Sequence, residues 1–125
     1  MEKALDIQVG GNHYKGLPYQ PVVLATNSDF NFIQGSMLKY VSRYKKKKGE
    51  EDLEKVIHYS QLGCELSPIN FCNLITTKGN AKEYCIKNEF GDEIFEIIMA
   101  IAAQNWLQIT NLTGKLIRKE YEAVH

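Results

Sequence analysis

Apolar residues recur at helical spacing in two neighbouring stretches near the middle of the chain. The first set is Ile33, Met37, Tyr40, Val41 and Tyr44. The second set is Leu53, Val56, Ile57 and Cys64, together with the small polar residue Ser60. The i, i+3 and i+4 spacing of the first set predicts an amphipathic helix over residues 31–46. The second set is the expected inner face of a helix that begins near Glu50 and that Pro68 ends. Gly49 lies between them as the expected C′ residue, so the two helices should form an antiparallel hairpin.

The pattern on either side of this hairpin is less regular. Residues 1–20 contain several helix breakers and predict a glycine-rich loop, and Pro21 opens a short helix over residues 22–26. After the hairpin, residues 71–77 fit a short strand or a loop equally well. Asn80 is the expected cap of a short helix over residues 81–90.

Asp92 is the expected cap of a longer helix that runs to about Leu112 and is apolar nearly all round between Ile94 and Ala103. A helix of that kind is buried on most sides, and in a small chain a subunit interface is one way to bury it. We therefore expect a homo-oligomer. Gly114 is expected to bend or end this helix, and residues 115–123 suggest a charged terminal helix.

Together these elements predict a mainly α fold in a single domain over residues 1–125. It has a glycine-rich N-terminal loop, a central helical hairpin and a buried C-terminal helix, with residues 67–125 as a helical region that serves oligomerisation. The chain has 125 residues, of which 44% are hydrophobic, enough for a core without a disulfide or a metal.

The formal charge of zero hides an asymmetry between the two parts of the chain. Residues 1–48 carry eight basic and three acidic residues, and residues 49–125 carry seven basic and twelve acidic residues. The basic part should attract anions such as phosphates, whereas the acidic part should repel a long nucleic acid. The odd count of three cysteines, with no apolar signal segment and no run long enough for a membrane span, predicts a reduced, cytoplasmic protein without a membrane partner.

Two polar clusters are candidates for binding an anion. Adjacent Gly10 and Gly11 can direct backbone N–H groups at an anion, and His13 and Lys15 can add charge-assisted hydrogen bonds. The alternative is a flexible loop with an exposed histidine. The second cluster is Lys39, Arg43 and Lys46. Spacings of four and three put these on one helix face, where a guanidinium can grip a phosphate and lysines add charge, or where they simply form a solvated basic face.

Two further clusters carry carboxylates. Asp52, Lys55 and Tyr59 share a face of the second helix, and Asp52 can pair with Arg43, either as part of a site or as a salt bridge that fixes the register of the hairpin. A second group consists of Glu51, Glu54, Asp92, Glu93 and Glu96. Such carboxylates can hold Mg²⁺ as in all-α nucleotide pyrophosphohydrolases, but first-turn acids also serve helix capping, which is the favoured interpretation. No Walker motif occurs.

The strings VGGNHYKG, Gln20-Pro21 and KYVSRYKKKKGEEDLEKVIHY, over about residues 8–62, resemble a family of small bacteriophage-encoded domains. This family, formerly of unknown function, is described as nucleotide kinases that lack a P-loop. The matching positions are Gly10, Gly11, His13, Tyr14, Pro21, Lys39, Tyr40, Arg43, Tyr44, Lys46, Asp52, Leu53, Lys55 and Tyr59. The resemblance implies that the polar positions among these contact a nucleotide.

Three functions share nucleotide-phosphate binding. The first is a phage protein in the host cytoplasm that sequesters a signalling nucleotide to counter host defence, with no cofactor. The residues that would bind the phosphates are Gly10, Gly11, His13, Lys15, Lys39 and Arg43. Tyr14, Tyr40 or Tyr59 would stack on the base. The second is a nucleoside monophosphate kinase that uses Mg²⁺, with Asp52 orienting the acceptor or holding metal. The third is a Mg²⁺-dependent pyrophosphohydrolase that uses Glu51, Glu54, Glu93 and Glu96. The first is favoured because no metal site is convincing.

Overall fold

The computed structural model describes residues 3–6 and 16–122, and this part of the chain is mainly helical, as predicted. Its α-helices are α1 (Pro21–Asn27), α2 (Phe32–Arg43), α3 (Glu50–Leu66), α4 (Leu74–Lys87), α5 (Asp92–Ala102) and α6 (Trp106–Ile117). Short 3-10 turns occupy Ala4–Asp6 and Tyr44–Lys46, and a π-helical turn occupies Arg118–Glu122. The predicted glycine-rich loop lies mostly outside the described residues. Among the described residues, no helix combines the length and apolar character that a membrane span requires.

The hairpin of α2 and α3 is confirmed. A capping box begins α2, because the Asn31 side chain accepts the Gln34 N–H at 2.9 Å and the Gln34 side chain accepts the Asn31 N–H at 2.9 Å. Gly49 has a φ of 58°, which favours glycine, and its N–H donates to the Tyr44 carbonyl oxygen at 2.8 Å. The chain therefore reverses at Gly49, and α3 packs back along α2.

The prediction of the inner face of α3 is wrong for one residue, Cys64. Leu53 and Val56 are fully buried, but Cys64 is exposed and Gly63 is buried in its place. At this end α3 packs against α6, and a Cβ atom on Gly63 would lie only 2.6 Å from the Trp106 ring. The close approach of the two helices, and not apolar spacing, therefore decides which residue of α3 faces inward.

The predictions for residues 67–90 are only partly right. Residues 71–73 lie outside regular structure, but α4 begins at Leu74, where the Asn73 side chain accepts the Thr76 N–H at 3.1 Å. The predicted cap, Asn80, lies inside the helix, as does Gly79. Burial of one face of α4, which includes Thr77 and Tyr84, carries the helix through the glycine.

The single long helix predicted from Asp92 to Leu112 is wrong. The chain breaks at Ala103–Asn105, where Gln104 has a φ of 53°, and the Asn105 side chain caps α6 by accepting the Gln108 N–H at 3.2 Å. Gly114 does not end α6 but lies within it. The charged terminal helix is found only in part, because α6 continues to Ile117 and a π-helical turn follows.

The apolar helix α5 is buried within one chain. It packs against α2, α4 and α6, and its buried residues are Ile94, Ile97, Ile98, Ala100, Ile101 and Ala102. Because these neighbours already remove the helix from water, its composition does not require a second subunit. The reason for expecting a homo-oligomer through α5 is therefore removed.

Candidate functional site

A buried ion pair joins the two helices next to the turn of the hairpin. Asp52, in the first turn of α3, is 0% exposed. Arg43, at the end of α2, donates from Nε to Oδ2 at 3.2 Å and from Nη2 to Oδ1 at 3.1 Å. The backbone N–H of Lys48 donates to Oδ2 at 3.1 Å, and the Lys55 ammonium lies 3.9 Å from Oδ1. The predicted pairing of Arg43 with Asp52 is confirmed, and it fixes the orientation of the guanidinium.

Three cations surround the ring of Tyr40. The Lys39 ammonium lies 4.8 Å, the Arg43 guanidinium carbon 4.8 Å and the Lys55 ammonium 5.1 Å from the ring centroid. These distances are within the range of cation–π contacts. Among the described residues, these three cations against the single carboxylate of Asp52 leave an excess of two positive charges. The hairpin therefore brings together five of the residues predicted to bind a nucleotide.

An aromatic row continues from this cationic group. Tyr59 stacks on Tyr40 with ring centroids 5.9 Å apart and an interplanar angle of 25°. Its other neighbours are Phe32, at 6.3 Å, and His58, at 6.2 Å between centroids. Phe32 is 78% exposed, so the row is open to solvent at that end. We call Phe32, Lys39, Tyr40, Arg43, Lys55 and Tyr59 the cation–aromatic surface.

Sequence reasoning missed Phe32 as part of this surface. The available signal was its position two helical turns before Tyr40, which places both side chains on one face of α2. His58 was not predicted as a site residue either. Phe32 contacts Tyr59 only because the hairpin is antiparallel, which the spacing within one helix does not show, whereas His58 is the sequence neighbour of Tyr59.

Lys46 lies apart from the Tyr40 ring. With Lys45 it lines a cavity of about 200 Å³ between the end of α2 and the turn between α4 and α5, where Asn88 and Phe90 also lie. Leu17 lines the same cavity, so the N-terminal part of the chain approaches the basic end of α2. The remaining predicted site residues, Gly10, Gly11, His13, Tyr14 and Lys15, lie outside the described residues.

A third segment covers the turn of the hairpin. The Tyr44 hydroxyl donates to Glu120 at 3.0 Å, and Lys45 lies 3.9 Å from the same carboxylate. Burial and the neighbouring Glu120 raise the pKa of Tyr44 above its usual value. Tyr121 lies over Gly49, where a Cβ atom would meet its hydroxyl at 3.4 Å. The C-terminal turn therefore closes the end of the hairpin that holds the ion pair.

The predicted acidic residues do not form a magnesium site. Glu93 pairs with the Lys119 ammonium at 2.6 Å, and the side chains of Glu51, Glu54 and Glu96 are exposed. Within residues 3–6 and 16–122, no three carboxylates, histidines or cysteines converge as metal ligands. The donors that a Mg²⁺-dependent pyrophosphohydrolase requires are therefore not brought together there.

Asp52 also does not fit the metal-binding or acceptor-orienting role that a kinase would give it. Its carboxylate has no exposure to solvent; Oδ1 accepts from Arg43, and Oδ2 accepts from both Arg43 and the Lys48 N–H. A metal ion or an acceptor hydroxyl would have to displace these donors.

Comparison with known proteins gives one match. The model of a family described as a protein of unknown function (DUF3310) matches residues 11–61, about two fifths of the chain. The matched stretch contains α1, α2 and most of α3, and with them the whole cation–aromatic surface. No curated protein and no solved structure matches the chain.

Proposed function

We propose that the protein binds the phosphate of a nucleotide on the cation–aromatic surface and sequesters that nucleotide without chemical change. The observation that supports this most is the group of three cations around the ring of Tyr40. Among the described residues, the single buried carboxylate of Asp52 leaves two of these three charges unbalanced, and Lys39 is exposed to solvent, where an anion can reach it. A phosphate group provides the missing negative charge.

The surface offers a nucleotide two kinds of contact side by side. Lys39 and Lys55 supply ammonium groups to the phosphate, while Asp52 holds the Arg43 guanidinium in a fixed orientation beside them. The rings of Tyr59 and Phe32 supply a face on which a base can stack, a contact that does not depend on the identity of the base. The resemblance described above adds the expectation that Gly10, Gly11, His13 and Lys15 contribute to the same phosphate.

Sequestration is favoured over phosphoryl transfer by the state of Asp52. A kinase needs a metal ion or an oriented acceptor in addition to its cations, and Asp52 is already committed to Arg43. Binding alone needs neither. A phage origin, which the resemblance implies, suits a protein that removes a signalling nucleotide of the host defence.

The fate of the bound nucleotide distinguishes sequestration from catalysis. The protein is incubated with nucleoside mono-, di- and triphosphates and with cyclic nucleotides, with and without Mg²⁺, and is then heat-denatured. We expect the nucleotide that binds to be recovered intact and in stoichiometric amount in the supernatant. A Mg²⁺-dependent change in its phosphate count would support the kinase and contradict sequestration.

A matched pair of double variants tests the location of the site. Lys39→Ala with Lys55→Ala removes two cations from the Tyr40 ring, and we expect it to weaken nucleotide binding about tenfold or more. Lys82→Ala with Lys115→Ala removes the same charge from two exposed lysines outside the hairpin and should leave affinity unchanged. Equal affinities of the two double variants, measured by calorimetry, would show that the nucleotide binds elsewhere.

A further inference from the structure

The segment that joins α3 to α4 presents apolar side chains to solvent. The exposed fractions are 92% for Phe71, 87% for Ile75, 80% for Ile69, 68% for Leu66 and 44% for Leu74. Ile69, Phe71 and Leu74 line a groove of about 440 Å³, whose other wall is the end of α5 at Ala102 and Ala103. We call these five exposed side chains and this groove the 66–75 surface.

Hydrogen bonds of one side chain and one backbone carbonyl tie the same segment to the rest of the molecule. The Asn70 amide donates to the Asp29 carbonyl oxygen at 2.8 Å and also bonds the fully buried Gln34 side chain. Gln104 donates to the Pro68 carbonyl oxygen at 2.7 Å. These bonds hold the segment with its apolar side outward, so the exposure of Ile69 and Phe71 is a consequence of specific contacts.

We propose that the 66–75 surface is a self-association surface that docks against the same surface of a second copy of this chain. Five side chains of this size present on the order of 400–500 Å² of apolar area, against about 800 Å² per partner in a standard interface. This area lies within the range of the largest apolar patch of a typical monomer, which is often a functional patch, and it suits the apolar centre of a weak dimer.

The charges around the surface favour a second copy over an unrelated partner. Residues 66–77 contain no charged residue, and the first charged residues on either side are Glu65 and Lys78, both exposed. In a two-fold contact whose axis crosses the segment at a right angle, the two copies of the segment run in opposite directions, and Glu65 of each copy then approaches Lys78 of the other. The surface is therefore complementary to itself in charge as well as in apolar character.

The described ends of the chain do not cover this surface. Leu5 accepts a hydrogen bond from Gln20, and Leu17 and Lys87 lie in the same cavity as Leu5, beside the last turn of α4. Tyr121 packs at Gly49, the N-cap of α3, whereas Leu66 is the last residue of that helix. Tyr121 and the 66–75 surface therefore lie at opposite ends of α3. The proposal is also independent of nucleotide binding, because the cation–aromatic surface shares none of its side chains.

Sedimentation velocity over a wide concentration series tests the proposal. We expect a concentration-dependent monomer–dimer equilibrium that Phe71→Ser with Ile75→Ser weakens about tenfold or more. Because both side chains are exposed, the double variant should keep the circular dichroism and urea midpoint of the parent protein. Ile86→Ser is the matched control, since Ile86 is 77% exposed on α4 but does not line the groove.

Charge exchange tests the two-fold arrangement separately. At low salt Glu65→Lys alone and Lys78→Glu alone should each weaken the dimer about threefold, because like charges then meet across the axis. A mixture of the two single variants should restore association, since each charge then meets its opposite. The proposal is overturned if the parent protein is monomeric throughout the series, if dimerisation survives Phe71→Ser with Ile75→Ser, or if the mixture is no tighter than either variant alone.

Discussion

The turn of the hairpin and the 66–75 surface both reverse the usual distribution of polar and apolar groups. At the turn a carboxylate is buried, and near Phe71 large apolar side chains are exposed. The difference lies in how each exception is balanced. Asp52 finds its partners, Arg43 and Lys48, within the chain, whereas the exposed side chains of the 66–75 surface have no cover among the described residues. The first exception therefore stabilises the fold, and the second points to a contact with another molecule.

The largest expected effect is the removal of Arg43. Arg43→Ala leaves the buried carboxylate of Asp52 without its main partner, and we expect a loss of about 3–5 kcal/mol in the free energy of unfolding. Arg43→Ala with Asp52→Ala should be less destabilising than the sum of the two single variants, because neither charge is then left unpaired. Urea unfolding of the four proteins measures this coupling. Additive losses would mean that the pair does not stabilise the turn, and the contrast with the 66–75 surface would disappear.

An intermediate effect is expected at Gln34, whose side chain is bonded to Asn70 in the segment that carries the 66–75 surface. Its amide donates to the carbonyl oxygens of Ile101 and Ala102 at 3.0 and 3.3 Å. Gln34→Leu removes the bonds to these buried carbonyl oxygens and one of the hydrogen bonds of the Asn70 amide, which still donates to the Asp29 carbonyl oxygen. We therefore expect a loss of about 1–3 kcal/mol in the free energy of unfolding. Asn70→Ala, at a half-buried position, should cost less.

Limited proteolysis shows whether the loss at Gln34 is local. In Gln34→Leu we expect faster cleavage within residues 66–75, with the hairpin still protected, because the inward bonds of the segment are weakened. Unchanged stability together with unchanged cleavage would contradict the view that the apolar side chains are held outward by these bonds.

The smallest effect is expected at Tyr44, and it depends on pH. Burial raises the pKa of Tyr44 above its usual value of 10, so the folded protein keeps the proton that the unfolded chain loses above about pH 10. The free energy of unfolding should therefore fall as the pH rises through this range, by up to about 1.4 kcal/mol per pH unit for this group. Tyr44→Phe should cost about 1 kcal/mol at neutral pH and make that fall shallower.

Urea midpoints at neutral pH and at several values above pH 10 provide the measurement. Tyr19 and Tyr121 also have raised pKa values, through burial and neighbouring acids, so part of the alkaline loss should persist in the variant. An identical slope in both proteins would show that Tyr44 ionises as freely in the folded state as in the unfolded chain.

The parts of the fold that the sequence predicts are those that local spacing determines. The hairpin follows from apolar periodicity and from Gly49, and the pairing of Arg43 with Asp52 follows because the two residues flank a short turn. Lys39, Tyr40, Lys55 and Tyr59 share helix faces for the same reason. These contacts span few residues, and a helical wheel with one reversal is enough to find them.

The missed features depend on contacts between residues far apart in the sequence. The break at Gln104 carries neither glycine nor proline, and it is held by bonds from its side chain to Pro68 and from Asn31 to its amide oxygen. The early start of α4 depends on burial of Thr77 and Tyr84. The burial of α5 was predicted, but the subunit interface expected to bury it is not needed because α2, α4 and α6 enclose the helix, and no periodicity within α5 indicates which neighbours are present.

The close approach of Gly63 to Trp106 has a practical consequence. Trp106 is the only tryptophan of the chain, and its ring lies directly on the backbone of α3. Its fluorescence emission therefore reports on the docking of α6 onto the hairpin, whereas far-ultraviolet circular dichroism reports on all helices at once. If the emission shifts to longer wavelength before the circular dichroism signal of the helices is lost during denaturation, α6 separates from the hairpin before the helices unfold.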